Sequence, residues 1–167
     1  LKKLNLQKGD RVAAYVPNKI ETIICFLACA KNGIIWSSCS PDFGAQGVVD
    51  RFKQIEPKVF ITCDYYYYNG KKINILDKVE KILKQIPSIK KVIAFNYNKQ
   101  ERESLKNFIN FEETLKNDLD EVFERFEFNH PIYILFSSGT TGKPKCITHG
   151  SGNVLIEHNK EFMLHCD

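Results

Sequence analysis

The sequence lacks any apolar segment long enough to cross a membrane. The longest candidate, residues 20–30, is interrupted by Glu21 and Thr22, whereas a membrane-spanning helix needs about 20 consecutive apolar residues. An excess of one charge is also missing, because 24 Lys and Arg residues face 20 Asp and Glu residues and leave a formal charge of +4. Nucleic-acid binding usually requires a more basic chain. These absences predict a soluble protein with neither a membrane nor a nucleic-acid partner.

The cysteines lack a metal-binding spacing. The six of them, at positions 25, 29, 39, 63, 146 and 166, include no CxxC pair, and each lies among apolar or small residues. Structural zinc sites are usually built from close pairs of Cys or His. Cys25 and Cys29 are four residues apart and are expected to share one helix face as packing residues. We therefore predict reduced, mostly buried thiols, no metal ligands and a cytoplasmic location, where disulfides are rare.

An initiator methionine and a leader are also missing. The chain begins at Leu1 without a basic-then-apolar leader, and it stops at Asp167 directly after a helical pattern with no closing strand. These features predict a piece of a longer polypeptide. One domain is still expected, because a core in a chain of this size can bury about 70% of the surface of the unfolded chain.

Hydrophobic periodicity predicts strands that alternate with helices. Short runs that are apolar on both faces indicate strands, and stripes at 3.6-residue spacing indicate helices. This alternation is typical of a mostly parallel sheet flanked by helices, so the predicted fold class is α/β. The predicted strands are 11–16, 34–37, 58–62, 91–95 and 132–136. Helices are predicted over 20–31, over 74–85 and from about Gly152, and a further helix is predicted between the second and third strands. That further helix carries Val48, Val49, Phe52 and Ile55 on one face, and the helix over 74–85 carries the stripe Ile75, Val79, Ile82, Leu83 and Ile86.

Two stretches depart from this alternation. Residues 96–130 are rich in Asn, Lys, Glu and Phe without a long apolar stripe, which predicts a polar connector or insertion with a short helix over 110–117. Residues 65–68 are four tyrosines followed by Asn69 and Gly70, a pair typical of a turn. The tyrosines are expected to pack beside that turn and not to form a binding ladder.

One segment combines the residue types that bind phosphate. It follows the strand predicted over 132–136 and has the sequence SSGTTGKPK over 137–145, with four hydroxyls, two glycines and two lysines. Glycines let backbone N–H groups surround an anion, hydroxyls donate to phosphate oxygens, and ammonium groups neutralise charge. It is not a Walker A loop, because Ser137 stands where the first glycine belongs and Pro144 follows the Gly-Lys pair. We predict a polyphosphate cradle, with a plain connecting turn as the alternative.

These nine residues resemble the phosphate-binding loop of the acyl-adenylate-forming superfamily, which includes acyl-CoA synthetases, luciferases and the adenylation domains of peptide synthetases. Members activate a carboxylate with ATP and release pyrophosphate. The resemblance implies that residues 1–167 are part of the large N-terminal AMP-binding domain of such an enzyme, with the small C-terminal domain outside this chain. It also implies that ATP, Mg2+ and coenzyme A are the cofactors or co-substrates.

Further segments resemble the acetoacetyl-CoA synthetase branch, to which acetyl-CoA and propionyl-CoA synthetases are close. The resemblance implies a ligase that converts acetoacetate to acetoacetyl-adenylate and then to acetoacetyl-CoA. The implied partners are these small molecules and the rest of the same polypeptide. The segments are VAAYVPN over 12–18 with Glu21 and Thr22, WSSCSPDFG over 36–44, VDRFKQIEPK over 49–58, YNGK over 68–71, and the ending 157–167.

The resemblance also implies roles for residues of the loop. Lys145 would face the β and γ phosphates, and Lys145, Thr140 and Thr141 are the expected catalytic residues, acting by position and charge. The family's motifs for adenine and ribose, its hinge and its adenylation lysine lie beyond residue 167, so the chain alone is expected to be inactive. The residues expected to bind the phosphates of ATP are Ser137, Ser138, Gly139, Thr140, Thr141, Gly142, Lys143 and Lys145.

Other interpretations stay open at this point. His149 is expected either at the mouth of the site or as a hydrogen-bonded scaffold residue, whereas His158 and His165 are too far apart along a helix to share one metal ion. The competing function is a truncated, non-catalytic paralogue that keeps the loop as a nucleotide-binding or interaction module. Within the ligase class, acetyl-CoA or propionyl-CoA synthetase is the alternative.

Overall fold

A computed structural model describes residues 4–98, 108–115, 123–138 and 142–166. Within these ranges the strands are β1 Arg11–Tyr15, β2 Ile35–Cys39, β3 Val59–Cys63, β4 Tyr65–Tyr68, β5 Lys71–Asn74, β6 Lys91–Phe95, β7 Ile109–Asn110, β8 Pro131–Ser137 and β9 Lys145–Gly150. The helices are α1 Ile20–Lys31, α2 Ala45–Ile55, α3 Leu76–Gln85, α4 Phe111–Thr114 and α5 Ser151–His165. No helix of this described part is both long and apolar enough to span a bilayer.

Seven strands form one sheet in the order β7-β6-β3-β1-β2-β8-β9. Each neighbouring pair is parallel except β8 and β9, which are antiparallel. The remaining strands, β4 and β5, form a separate antiparallel hairpin. The mostly parallel α/β sheet predicted from periodicity is therefore confirmed.

The core lies where α2 and α3 pack on the central strands. All four residues of the stripe predicted around Val48 are buried, and Phe52 meets Phe60 of β3 edge to face with ring centroids 6.2 Å apart. The α3 stripe is buried as well, except that Leu83 is half-buried. Strands β1 and β3 are buried on both faces almost throughout, as expected for parallel strands covered by helices.

Four strands were not predicted, namely β4, β5, β7 and β9. The tyrosine run is not merely packed beside a turn but forms β4, which pairs with β5 through Asn69 and Gly70 at φ values of 48° and 74°. Four identical residues carry no alternation, so the period-2 signal of a strand was absent. Strand β9 was also missed, because Lys145–Gly150 has no apolar run and its six residues are exposed or half-buried. Helix α3 begins at Leu76 and not at residue 74, which belongs to β5.

One part of the segment over 96–130 belongs to the sheet. Strand β7 pairs with β6 at the sheet edge, and α4 follows it directly. The short helix predicted over 110–117 is α4, which spans 111–114, and positions 116–117 lie outside the described residues. That 96–130 as a whole is a polar connector or insertion stays a prediction.

A buried carboxylate joins the carboxyl ends of β3 and β6. Asp64 follows β3, and its side chain is fully buried. Its Oδ1 accepts hydrogen bonds from the backbone N–H groups of Tyr65 and Tyr97, both at 2.8 Å, and its Oδ2 accepts one from Asn96 Nδ2 at 3.0 Å. This carboxylate therefore positions the first residue of β4 relative to the loop after β6.

Replacing Asp64 by Asn is expected to lower the free energy of unfolding by about 1–3 kcal/mol, because an NH2 group would replace an acceptor among buried donors. The measurement is urea unfolding followed by circular dichroism. Asp77→Asn is the control, since Asp77 is exposed in the first turn of α3. Equal unfolding midpoints for the two variants would contradict the role given to Asp64.

Candidate nucleotide-binding site

The segment predicted to bind phosphate forms the closed end of a β-hairpin. Ser137 is the last residue of β8, Lys145 is the first residue of β9, and the two are paired directly across the ladder. Side chains at directly opposite positions of an antiparallel pair lie on the same face. The Ser137 hydroxyl and the Lys145 ammonium group are therefore on one side of the hairpin, at the mouth of the loop.

The described part of the loop is open to solvent. Ser138, Gly142 and Lys143 are exposed, as is Lys145. Gly142 has a φ of 93°, a left-handed conformation that strongly favours glycine. Of the predicted phosphate ligands, Gly139, Thr140 and Thr141 lie outside the described residues, so their contacts with phosphate stay predictions. The four exposed residues can supply hydroxyl, backbone N–H and ammonium donors to an anion.

The local architecture confirms that this is not a Walker A loop. A Walker A loop leads from a strand directly into a helix, whose N-terminus faces the phosphates. Here the loop leads into β9, and α5 begins only at Ser151. A polyphosphate bound here would therefore be held by the hairpin loop and its two lysines and not by a helix dipole.

The three histidines considered from the sequence separate into one framework residue and two exposed ones, and the fourth, His130, is half-buried with its Nε2 3.0 Å from the Gly33 carbonyl oxygen. His149 is half-buried on β9, directly opposite Tyr133, and their ring centroids are 5.0 Å apart. This contact favours the scaffold interpretation of His149. His158 and His165 are exposed on α5.

A second feature, which sequence reasoning missed, is a crevice of about 290 Å³ at the carboxyl ends of β1 and β2. The chain moves from β1 to β2 in one direction across the sheet and from β2 to β3 in the other. With right-handed crossovers, α1 and α2 then lie on opposite faces. The connections after β1 and β3 leave these neighbouring strands in opposite directions, so the strand order reverses between them, beside the crevice. Open α/β sheets bind ligands at such reversals of strand order. The lining residues include Pro17, Asn18, Ser40, Asp42, Tyr66 and Tyr68.

Two buried tyrosines, Tyr15 and Tyr66, form hydrogen bonds with the loop after β2 that lines the crevice. The Tyr15 hydroxyl lies 2.7 Å from the carbonyl oxygens of both Pro41 and Phe43 and can donate its hydrogen to either. Burial and the nearby Asp42, to which it is hydrogen-bonded, raise the pKa of Tyr66 to about 12. Tyr66 therefore keeps its proton at neutral pH and its hydroxyl can hydrogen-bond the Asp42 carboxylate. The signal in the sequence was that Pro17-Asn18 and Pro41-Asp42 each follow a predicted strand.

The thiols divide into a buried group and an exposed pair. Cys25, Cys29, Cys39 and Cys63 are buried, Cys146 and Cys166 are exposed, and all six are free. Cys25 and Cys29 share the buried face of α1 as predicted. Burial raises the pKa of Cys25 to about 12 and that of Cys39 to about 11. No group of three or more His, Cys, Asp or Glu residues able to hold a metal occurs in the described part of the chain.

Comparison with known proteins gives a consistent result. Residues 1–165 match the family described as "AMP-binding enzyme". The chain is 48% identical to acetoacetyl-coenzyme A synthetase of Rhizobium meliloti over 164 residues, which are 95% of this chain and 25% of that protein. It is 41% identical to acetoacetyl-CoA synthetase of Macaca fascicularis over 174 residues, which cover 99% of this chain and 26% of that protein.

A solved structure agrees with these relatives. Acetoacetyl-CoA synthetase from Streptomyces lividans superposes with a TM-score of 0.93 at 40% identity, covering 100% of this chain and 26% of that one. The chain thus spans about a quarter of the length of the proteins it matches. The arrangement of strands, helices and hairpin described above is the one found within that longer chain.

Only Cys146 and Cys166 are expected to react when the native chain is treated with iodoacetamide near pH 8, because alkylation requires the thiolate and a raised pKa keeps a buried thiol protonated. Peptide mass spectrometry gives the extent of reaction at each cysteine. A denatured sample, in which all six cysteines should react, is the control. Rapid alkylation of Cys25 or Cys39 in the native chain would contradict the burial of α1 and β2.

Proposed function

The chain belongs to the AMP-binding enzyme family, and on this premise we propose that it is part of an ATP-dependent acid–thiol ligase that converts acetoacetate to acetoacetyl-CoA. The observation that carries the proposal is the pairing of Ser137 with Lys145 at the mouth of the Ser/Thr/Gly loop. This pairing places a hydroxyl and an ammonium group together at the end of a strand. The acyl group is proposed from the names of the relatives, which are acetoacetyl-CoA synthetases.

The proposed first step is in-line attack of the substrate carboxylate on the α-phosphorus of ATP. One carboxylate oxygen forms a bond to that phosphorus, the bond to the bridging oxygen breaks, and pyrophosphate leaves with the negative charge. Lys145 and Lys143 stabilise that charge, and Ser137 and Ser138 donate hydrogen bonds to the phosphate oxygens. The loop accelerates the reaction by positioning the reactants and stabilising charge, because it forms no covalent bond to the substrate.

Residues 137–145 fit a magnesium-bound triphosphate in their donor set. They contain hydroxyls and lysines but no carboxylate, so a Mg2+ ion here would be bound mainly through phosphate oxygens and water, as this ion commonly is. The ion would supply charge neutralisation of the leaving pyrophosphate. In the second step the thiol of coenzyme A attacks the acyl carbon of acetoacetyl-adenylate, a C–S bond forms, and the bond from that carbon to the phosphate oxygen breaks. AMP leaves with the bonding electrons, and the thiol proton passes to solvent. A cytoplasmic location is part of the proposal and is supported by the six free thiols.

The test is ATP–pyrophosphate exchange by the full-length protein with acetoacetate, acetate and propionate in parallel. Exchange is expected to be fastest with acetoacetate and to fall by about 100-fold or more in Lys145→Ala, because removing one charge-stabilising group of a transition state typically costs this much. Lys53→Ala is the control, since Lys53 is exposed in the last turn of α2.

The other possible results of this exchange experiment each indicate a different function. Faster exchange with acetate or propionate would overturn the choice of acetoacetate and keep the ligase chemistry. No exchange with any acid, with retained binding of ATP, would favour the non-catalytic nucleotide-binding module.

The isolated chain of 167 residues is expected to form no detectable acyl-CoA, because it spans about a quarter of the length of its relatives. The measurement is thioester formation from acetoacetate, ATP and coenzyme A, followed by chromatography. The full-length protein at the same concentration is the positive control. Turnover above background by the isolated chain would show that the rest of the polypeptide is dispensable.

A further inference from the structure

One side chain outside the hairpin is bonded to residues on both sides of Lys145. Gln54 lies near the end of α2, and its Nε2 donates to the carbonyl oxygen of Pro144 at 3.0 Å. Its Oε1 lies 3.5 Å from Cys146 Sγ and accepts a hydrogen bond from that thiol. The same Nε2 also donates to the carbonyl oxygen of Asp50, one turn back in α2, at 2.7 Å. Both amide hydrogens and the amide oxygen of Gln54 are thus engaged.

These contacts determine which side of the hairpin each residue of β9 occupies. Successive side chains of a strand alternate between its two faces. Because the Cys146 side chain meets Gln54 on α2, the side chain of Lys145 lies on the face turned away from that contact. Ser137 is paired with Lys145 and shares that face. The two predicted phosphate ligands therefore lie opposite the contact with α2.

The hairpin needs such an anchor for a physical reason. A shift of one residue in the pairing of β9 would move Lys145 to the other face, and loops rich in glycine specify register weakly. Pro144 has no N–H group to contribute to the ladder. Between β2 and β8 only one residue pair, Trp36 with Tyr133, is in register among the described residues. Gln54 supplies a contact from a helix that is itself packed in the core.

We propose that Gln54 is a positioning residue for Lys145: by binding the Pro144 carbonyl and the Cys146 thiol, it sets the register of β9 and holds the ammonium group of Lys145 on the side of the phosphates. This inference deepens the proposed function and rests on it. Gln54 does not touch the substrate, so its effect passes through Lys145.

A matched control exists on the same helix. Gln46 is also an exposed glutamine of α2, and its Nε2 donates to Asp50 Oδ1 at 2.7 Å. This contact lies within α2, whereas Gln54 also bonds residues of the hairpin. The variants Gln54→Met and Gln46→Met change the same chemical group, keep a similar length and retain a good helix former.

The experiment is a double-mutant cycle on the full-length protein, read by ATP–pyrophosphate exchange with acetoacetate over a range of Mg·ATP concentrations. Gln54→Met is expected to lower kcat/KM for ATP by about tenfold, since a small misplacement of a charge-stabilising group has effects of this order or larger, and Gln46→Met is expected to leave it unchanged. In a Lys145→Ala background, Gln54→Met should cause little further loss, because groups that act through one another are not additive.

The outcomes separate this inference from the proposed function. If the wild-type protein exchanges and Lys145→Ala weakens exchange, but Gln54→Met behaves like Gln46→Met, the positioning role is overturned and the ligase proposal stands. An equal loss from Gln54→Met in both backgrounds also overturns it, because the effect would then not pass through Lys145. Absence of exchange in the wild-type protein counts against the proposed function, and the geometric part of the inference is then decided by a second measurement.

That measurement is the alkylation rate of Cys146 in the full-length protein, read by peptide mass spectrometry. Loss of the hydrogen bond to Gln54 Oε1 in Gln54→Met should accelerate alkylation of Cys146 by several-fold, while Cys166 on the far end of α5 provides an internal reference in the same sample. Unchanged relative rates would show that Gln54 does not hold β9, and the inference would fail irrespective of any activity.

Discussion

The architecture depends on the burial of β1 between two parallel neighbours. Residues 12–15 are paired in register with β2 on one side and with β3 on the other, and their side chains are completely buried. Because β1 comes first along the chain and yet lies inside the sheet, the chain runs to β2 on one side of β1 and then returns past it to β3 on the other. This return reverses the strand order, and the crevice at the carboxyl ends of β1 and β2 lies beside the reversal. The phenol of Tyr15, the last residue of β1, completes the arrangement by binding the loop after β2.

The hairpin of β8 and β9 is joined to this framework through β8, whose Ile134 is buried in the core, and through α2. Strand β8 joins β2 through one residue pair and through the buried hydrogen bond that Ser37 Oγ donates to the Ile134 carbonyl at 2.7 Å. Its partner β9 is antiparallel and largely exposed, and the hydrogen bonds to Gln54 join it to α2. Few buried contacts make such an attachment less stable locally than the core strands. The buried strands and the exposed hairpin thus occupy different parts of the sheet.

Helices α1 and α5 expose more apolar surface than is usual for helices of a soluble monomeric domain. On α1 the side chains of Ile20, Ile23, Ile24 and Leu27 are exposed at helical spacing, and Leu27 is 57% exposed. On α5 only Val154 is buried. Patches of this kind usually mark surfaces that another segment or molecule covers. The proteins that match this chain are about four times as long, so in them further polypeptide is available to cover the corresponding surfaces.

The sequence by itself determined the alternation of strands and helices, the buried stripes of α2 and α3, and the chemical character of the loop, because these depend on local periodicity and on the side chains within nine consecutive residues. It did not reveal β4, whose four tyrosines have no alternation, or β9, whose residues are too exposed to form an apolar pattern. Only the tertiary structure decided that Ser137 and Lys145 share a face, that Gln54 meets the residues on either side of Lys145, and that two Pro-containing loops enclose a crevice. Each of these depends on tertiary packing, which brings together residues as distant as Gln54 and Cys146, 92 positions apart, and no local pattern in the chain encodes such a distance.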